Sequence, residues 1–361
     1  MRFFVSTELV CGKDCVRTSA EKLRALGSRC LVVTSATAAL KCGALDDAIE
    51  ALEAVGITYT VYNGIRQNPT VQSCMDAARQ TDFVLGIGGG SPLDAAKAIA
   101  VFSANPGLSE ADLYAYAWEH DPLPIVCIGT TAGTGSEVTP IAVLTDSTGE
   151  KRSIRDDRIF PTLSFGDYTY TLSLPERFVR STSVDAAAHC IESFFGKGAN
   201  DISRMFAVRG AEILANVFAK MVDTPLNETD KERLYFASLC GGYAISVTGT
   251  AFPHAMGYFL SERHGVAHGI ACGVFLPHFL RHAERSDPKL CDEFCRRTGC
   301  DITQWISLLQ AVTPACEATV SAEEIESMRS RFDGNGGLAR TVGTFTGEDA
   351  LRLLSEIFQK S

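Results

Sequence analysis

The chain has 361 residues, a length at which two domains are expected, and its 46% hydrophobic and 21% charged content is ordinary for a globular protein. A formal net charge of −10 argues against a polyanionic nucleic-acid partner. No run of about 18 uncharged apolar residues occurs, and the opening MRFFVSTELVCGKDC lacks the apolar stretch of a signal peptide, so no membrane partner and a cytoplasmic location are expected. The thirteen cysteines are scattered without a CxxC. They read as reduced, mostly buried thiols.

In chain order, Cys30 to Thr34 (CLVVT) reads as a buried strand, Ala38 to Ala54 as a helix ended by Gly56, and Ile57 to Tyr62 as a strand. Asn68-Pro69-Thr70 opens a helix running to about Gln80. The stretch TDFVLGIGGGSPLDAAKAIAVFSA follows at 81–104: apolar strand, three glycines, helix. The glycines let backbone N–H groups approach a bulky anion, and Ser91 as N-cap with Pro92 behind it would point the positive end of the helix at them. A phosphate suits that place, and a tight turn packing helix on sheet is the alternative; the pattern is neither GxGxxG nor a P-loop. Pro124 to Ile128 and Ile141 to Thr145 read as strands around a second small-residue loop, GTTAGTGS at 129–136. Strand–helix alternation implies a mostly parallel sheet covered on both faces. Beyond Leu172 helical runs dominate: Val184 to Phe195, Asp201 to Met221, Asp230 to Val247, and the segments past Asp301. The expected organisation is an α/β domain over 1–168 and an all-α domain over 169–361.

Five of the seven histidines lie between His254 and His282. Asp185 and His189 stand four apart in VDAAAHCIE, on one face of a helix whose neighbours are small or apolar. Such a pair reads as a surface hydrogen bond or as half of a metal site, and burial favours the second because buried charge needs a partner. His254 and His268 would lie roughly 21 Å apart on a straight helix and converge only if the chain turns at Ser261 to Gly265 (SERHG). His264/His268 and His278/His282 are rival pairs, and spacing does not choose among them. One aspartate and three histidines would suit Fe²⁺ or Zn²⁺.

Four stretches, GGGSPLDAAKAIA (88–100), GTTAGTGSEVT (129–139), DAAAHCIES (185–193) and TGTAFPHAMGYFLSERHGVAHGIACGVFLPH (248–278), resemble the iron-containing (group III) alcohol dehydrogenase family in order and spacing. The tail after His282 adds little. The resemblance implies an N-terminal nucleotide-binding α/β domain, a helical C-terminal domain and an active site in the cleft between them. It implies Asp185, His189, His254 and His268 as metal ligands, with His278 outside the set. It places the cofactor diphosphate on Gly89, Gly90 and Ser91, with Asp94 and Lys97 on the following helix. Thr130, Thr131 and Thr134 would line the cofactor, Asn68 would contact it, and Lys151 is the match to a lysine reaching it, with Arg152 beside it.

Two departures matter. Where many NAD-preferring members carry an aspartate after the first strand, this chain has Ser35, so a 2′-phosphate meets no carboxylate and NADP is admitted beside NAD. A histidine common four residues after the third ligand is Tyr258 here, a proton relay or a packed wall; His264 is a second relay candidate, or a solvated loop histidine. The expected activity is metal-dependent NAD(P)-linked alcohol dehydrogenase or aldehyde reductase, on a small alcohol or carbonyl, with a homodimer as the candidate assembly. A sugar-phosphate-cyclase-type lyase using NAD transiently and a glycerol-dehydrogenase-like polyol dehydrogenase are the alternatives on the same fold.

Overall fold

A computed structural model describes residues 2–359. The described chain falls into two units: Phe4–Leu174, and the chain from Pro175 onward together with Arg2 and Phe3.

In the first unit six strands form one all-parallel sheet: β1 (Glu8–Cys11), β2 (Arg29–Thr34), β3 (Thr58–Tyr62), β4 (Phe83–Gly88), β5 (Ile125–Gly129) and β8 (Leu163–Gly166), in the order β1-β8-β5-β4-β2-β3. The apolar runs predicted as strands are the central ones. Their residues alternate between two cores: Leu31, Val33, Val84 and Cys127 face one side, Cys30, Val32, Leu85 and Val126 the other. Helices α1 (Ala38–Lys41) and α2 (Ala44–Ala54) replace the single helix expected over that span, because Gly43 adopts φ 82° between them. Helix α3 (Val71–Ala77) is capped by the Thr70 hydroxyl, which accepts from Ser73 N–H. Helix α4 (Gly90–Ala104) covers the opposite face from α2.

The sequence reading missed β1 and β8, which are four residues each. Only the sheet context reveals them, since β8 slots between β1 and β5 and is wholly buried. Strand β6 (Ile141–Thr145) does not join the main sheet as expected. It pairs antiparallel with β7 (Lys151–Arg155), a charged and mostly exposed segment that carries no apolar signal. Strand order reverses between β2 and β4, whose ends meet at the register pair Thr34–Ile87. Open α/β sheets bind ligands beyond the carboxyl ends of strands at such a reversal.

The second unit is helical. Helix α5 runs over Glu176–Phe195, two turns longer at its start than predicted, and α6 (Asp201–Asp223) and α7 (Glu228–Thr248) pack against it. Asn200 and Asn227 close capping boxes with Ser203 and Asp230. Every residue of α5 from Val184 to Phe195 is buried, so this helix lies inside the unit with no solvent face there. Helix α8 (Phe252–Arg263) ends at the expected turn, and α9 (His268–Gly273) starts after it.

Candidate metal centre and cofactor cradle

Burial of α5 puts three polar side chains, Asp185, His189 and Glu192, among apolar neighbours on one helix face, at i, i+4 and i+7. Helices α8 and α9 bring His254 and His268 to the same point. Asp185 Oδ1 lies 3.5 Å from His254 Nε2, 3.7 Å from His268 Nε2 and 3.9 Å from His189 Nε2. The two ring nitrogens of His189 and His254 are 3.0 Å apart. Asp185 is only 3% exposed, and its Oδ1 has no hydrogen-bond partner. An orphaned buried carboxylate oxygen is costly. Donor atoms each about 2.0–2.2 Å from one ion stand roughly 3–3.6 Å from one another. The cluster has nearly that spacing, with Asp185 Oδ1 too far from each ring nitrogen for a direct bond and near enough to share a cation with them, so these residues fit a divalent metal.

The electrostatics agree. Burial alone would raise the Asp185 pKa, but His189, His268 and His254 outweigh it and hold the carboxyl well below the usual carboxylate range. For His254 burial opposes the charged ring, yet Cys272, Glu192 and Asp185 raise its pKa well above the ordinary value. Glu192 is buried and sits 2.6 Å from His254 Nδ1 while accepting from Ala251 N–H at 2.5 Å. A carboxylate only accepts, so it keeps a proton on Nδ1 and makes Nε2 the nitrogen that can give up its proton to an ion. The start of α9 is set by Gly269, where a Cβ would fall 1.8 Å from the Ser181 carbonyl oxygen. That close approach carries the neighbouring His268 against α5.

The other predicted residues divide. Tyr258 stacks on the His268 ring, centroids 5.7 Å apart and planes within 17°, so it packs directly on a cluster histidine. His264 is turned to other partners, with Nε2 3.4 Å from Glu324 Oε1 and its ring edge-on to Phe259. His282 bonds the Val342 carbonyl at 2.8 Å, which removes the His278/His282 pair as a rival ligand set. Two residues of the site escaped the sequence reading: Glu192, and Cys272 on α9, whose Sγ lies 3.8 Å from His268 Nε2. Helical spacing held the signal, since Glu192 follows His189 by three and Cys272 follows His268 by four. Burial pushes the Cys272 thiol up to about 11.

In the first unit the glycine turn opens α4 two residues earlier than expected. Gly89 is the N-cap, and Ser91 lies inside the helix with its hydroxyl 3.3 Å from Asn68 N–H. Asn68 takes φ 57°, which asparagine tolerates better than most residues. Gly89 and Gly90 are half-buried, and the second loop presses on them: a Cβ at Gly90 would sit 2.8 Å from Thr134 Cγ2, one at Gly89 3.1 Å from Thr131 Cγ2. Thr130 is buried, its N–H on Gly88 O at 2.9 Å; Thr131 and Thr134 are half-buried. Asp94 accepts from Ser136 Oγ at 2.8 Å and Val143 N–H at 3.0 Å, and burial raises its pKa. Lys97 is fully buried, its Nζ on Ser136 O, Ser136 Oγ and Ile141 O at 2.7–2.8 Å. Both therefore brace the second loop and β6. The hairpin separates Lys151 from Arg152. Arg152 lies over the Tyr114 ring at 3.9 Å, whereas the Lys151 charge acts on Asp94 beside the turn. Ser35 follows β2 directly, half-buried at its carboxyl end.

Residues 6–168 match the family description "iron-containing alcohol dehydrogenase", and residues 179–339 match that family's C-terminal region. Alcohol dehydrogenase 4 of Schizosaccharomyces pombe is 30% identical over 73% of this chain and 64% of its own length. A 1,3-propanediol dehydrogenase of Citrobacter freundii is 32% identical over 71% of this chain and 69% of its own. The crystal structure of an iron-containing alcohol dehydrogenase from Thermotoga maritima superposes with a TM-score of 0.92 at 32% identity, covering 99% of each chain. With both halves matched, one fold shared end to end and a metal-fitting cluster on the same segments, the chain belongs to the iron-containing alcohol dehydrogenase family.

Proposed function

We propose that the protein is a metal-dependent, NAD(P)-linked alcohol dehydrogenase working as a reductase of small aldehydes or ketones. The observation that carries this reading is Asp185 Oδ1, buried without a partner among the nitrogens of His189, His254 and His268. When bound, a divalent ion such as Fe²⁺ or Zn²⁺ supplies Lewis-acid polarisation of the substrate oxygen, and the nicotinamide supplies or accepts the hydride.

The chain's own residues do the rest. Asp185, His189, His254 and His268 hold the ion, and Glu192 keeps His254 in the tautomer that binds. Gly89, Gly90 and Ser91 at the head of the fifteen-residue α4 receive the diphosphate. Thr131 and Thr134 wall the turn, and Lys151 brings a positive charge beside it. Ser35, at the end of β2, faces the adenine ribose without a carboxylate to repel a 2′-phosphate. Tyr258 orients the His268 ring by stacking. A homodimer and a cytoplasmic location belong to the same proposal, supported by family membership and by the lack of any described helix long and apolar enough to cross a membrane; light scattering tests the first.

The test is protein reconstituted with Fe²⁺ or Zn²⁺, assayed on an aldehyde panel with NADH and NADPH. His268→Ala is expected to lose its metal and nearly all turnover with the fold retained, while His278→Ala keeps its metal. Normal metal content and turnover in a folded His268→Ala would overturn the assignment.

A further inference from the structure

We propose that Arg66 is the cation that binds the adenosine 2′-phosphate of the cofactor, which makes NADP(H) the preferred nucleotide. The inference rests on the cofactor reading above and deepens it. In nucleotide-binding α/β sheets an arginine near the ribose accommodates a 2′-phosphate where no carboxylate stands. A guanidinium suits that group because its planar fork donates two bonds to one phosphate. Ser35 brings no charge of its own, and the nearest base after it in the chain is Lys41.

The loop after β3 carries Arg66 to that place. Pairing of β2 with β3 ends at Val33–Tyr62. The chain then folds back over the Tyr62 ring at Gly64, where a Cβ would fall 2.9 Å from Tyr62 Cζ. Ile65 N–H donates to the Thr34 carbonyl at 3.3 Å, and the Ile65 side chain is buried in the same core as Leu31 and Val33. Ser35 and Arg66 are the next residues past that bond on their two segments. With Ile65 turned inward, Arg66 is exposed. Just beyond it, Asn68 N–H lies 3.3 Å from Ser91 Oγ, and the Pro69 carbonyl accepts from Thr145 N–H at 2.8 Å. Arg66 therefore rides on a segment pinned at both ends, between the close of β2, assigned to the ribose, and the head of α4, assigned to the diphosphate. Every other arginine of this unit is engaged, as Arg29 is with Asp82 and Arg158 with Asp156. Among the described residues Arg66 has no hydrogen bond, ion pair or ring contact, so its guanidinium is available to an anion.

The experiment is titration calorimetry of nucleotides into the full chain, which needs no turnover. Wild type is expected to bind NADP⁺ more tightly than NAD⁺, and adenosine 2′,5′-bisphosphate more tightly than AMP. Arg66→Gln should weaken NADP⁺ and the bisphosphate by about tenfold or more, the loss of charge-assisted bonds to one phosphate, and leave NAD⁺ and AMP within about twofold. Arg66→Lys keeps the charge without the fork and should fall between. An exposed side chain without a partner predicts an unchanged urea midpoint in both variants, which separates lost affinity from lost fold. Equal weakening of NADP⁺ and NAD⁺ in Arg66→Gln would put Arg66 on the diphosphate and overturn the proposal. So would tighter wild-type binding of NAD⁺ than of NADP⁺, unchanged NADP⁺ affinity in Arg66→Gln, or a loss that appears in Lys41→Gln instead. Each of these leaves the nucleotide site standing. Failure of wild type to bind either nucleotide overturns the nucleotide site and the role of Arg66 with it.

Discussion

Replacing Glu192 with glutamine tests the polar network behind the metal cluster. The carboxylate accepts two hydrogen bonds in a site with no water access, one from His254 Nδ1 and one from Ala251 N–H. Glutamine has the same shape but one acceptor oxygen and one NH₂. If its oxygen stays on Ala251, the NH₂ meets His254 Nδ1, and the ring must move its proton to Nε2, the atom turned towards Asp185 and His189. If its oxygen stays on His254, two N–H groups face each other at the start of α8. Either arrangement loses a charge-assisted bond and strands a buried donor, about 1.5–3 kcal/mol of stability. The first also blocks a metal-binding nitrogen, and loss of such a supporting partner typically weakens metal binding about 10–100-fold, or roughly 1.4–2.7 kcal/mol. Urea unfolding of the metal-free variant and chelator competition with Zn²⁺ measure the two effects separately. A folded Glu192→Gln that binds Zn²⁺ within twofold of wild type would refute the idea that Glu192 sets the His254 tautomer.

Three further outcomes are expected. Gly90→Val should raise the cofactor Kd strongly with metal content unchanged, because its first added carbon already falls 2.8 Å from Thr134 Cγ2 and the branched side chain displaces the second loop; unchanged cofactor affinity in a folded variant would make the turn purely structural. Ser35→Asp should shift the kcat/KM ratio towards NADH by roughly tenfold or more, if about 1.4 kcal/mol of discrimination is gained; a strong wild-type NADH preference left unmoved would show that other residues read the ribose. Lys97→Met keeps the apolar stem but deprives Ser136 O and Ile141 O of a donor at 2.8 Å, a cost of about 2–4 kcal/mol; an unchanged urea midpoint would remove Lys97 as a brace.

By itself the sequence determined the parts whose pattern is local. The apolar runs of β2, β4 and β5 are legible because strands buried on both faces admit little else. The glycine turn is legible because a helix starting straight after a strand needs small residues, and the Asp185/His189 pair because helical spacing alone puts the two on one face. The four-stretch resemblance named the family from the same residues. Tertiary structure decided what depends on distant partners. Strands β1 and β8 are four residues each and are strands only because the sheet offers them neighbours. The charged β7 exists because β6 pairs with it. Lys97 would suit a phosphate by residue type, yet burial under the second loop gives its ammonium to protein oxygens. Glu192 and Cys272 carry the helical spacing of site residues, but a glutamate and a cysteine at those intervals are common. Only the burial of α5, and the close approaches allowed at Gly269 and Gly257, bring them against His254 and His268.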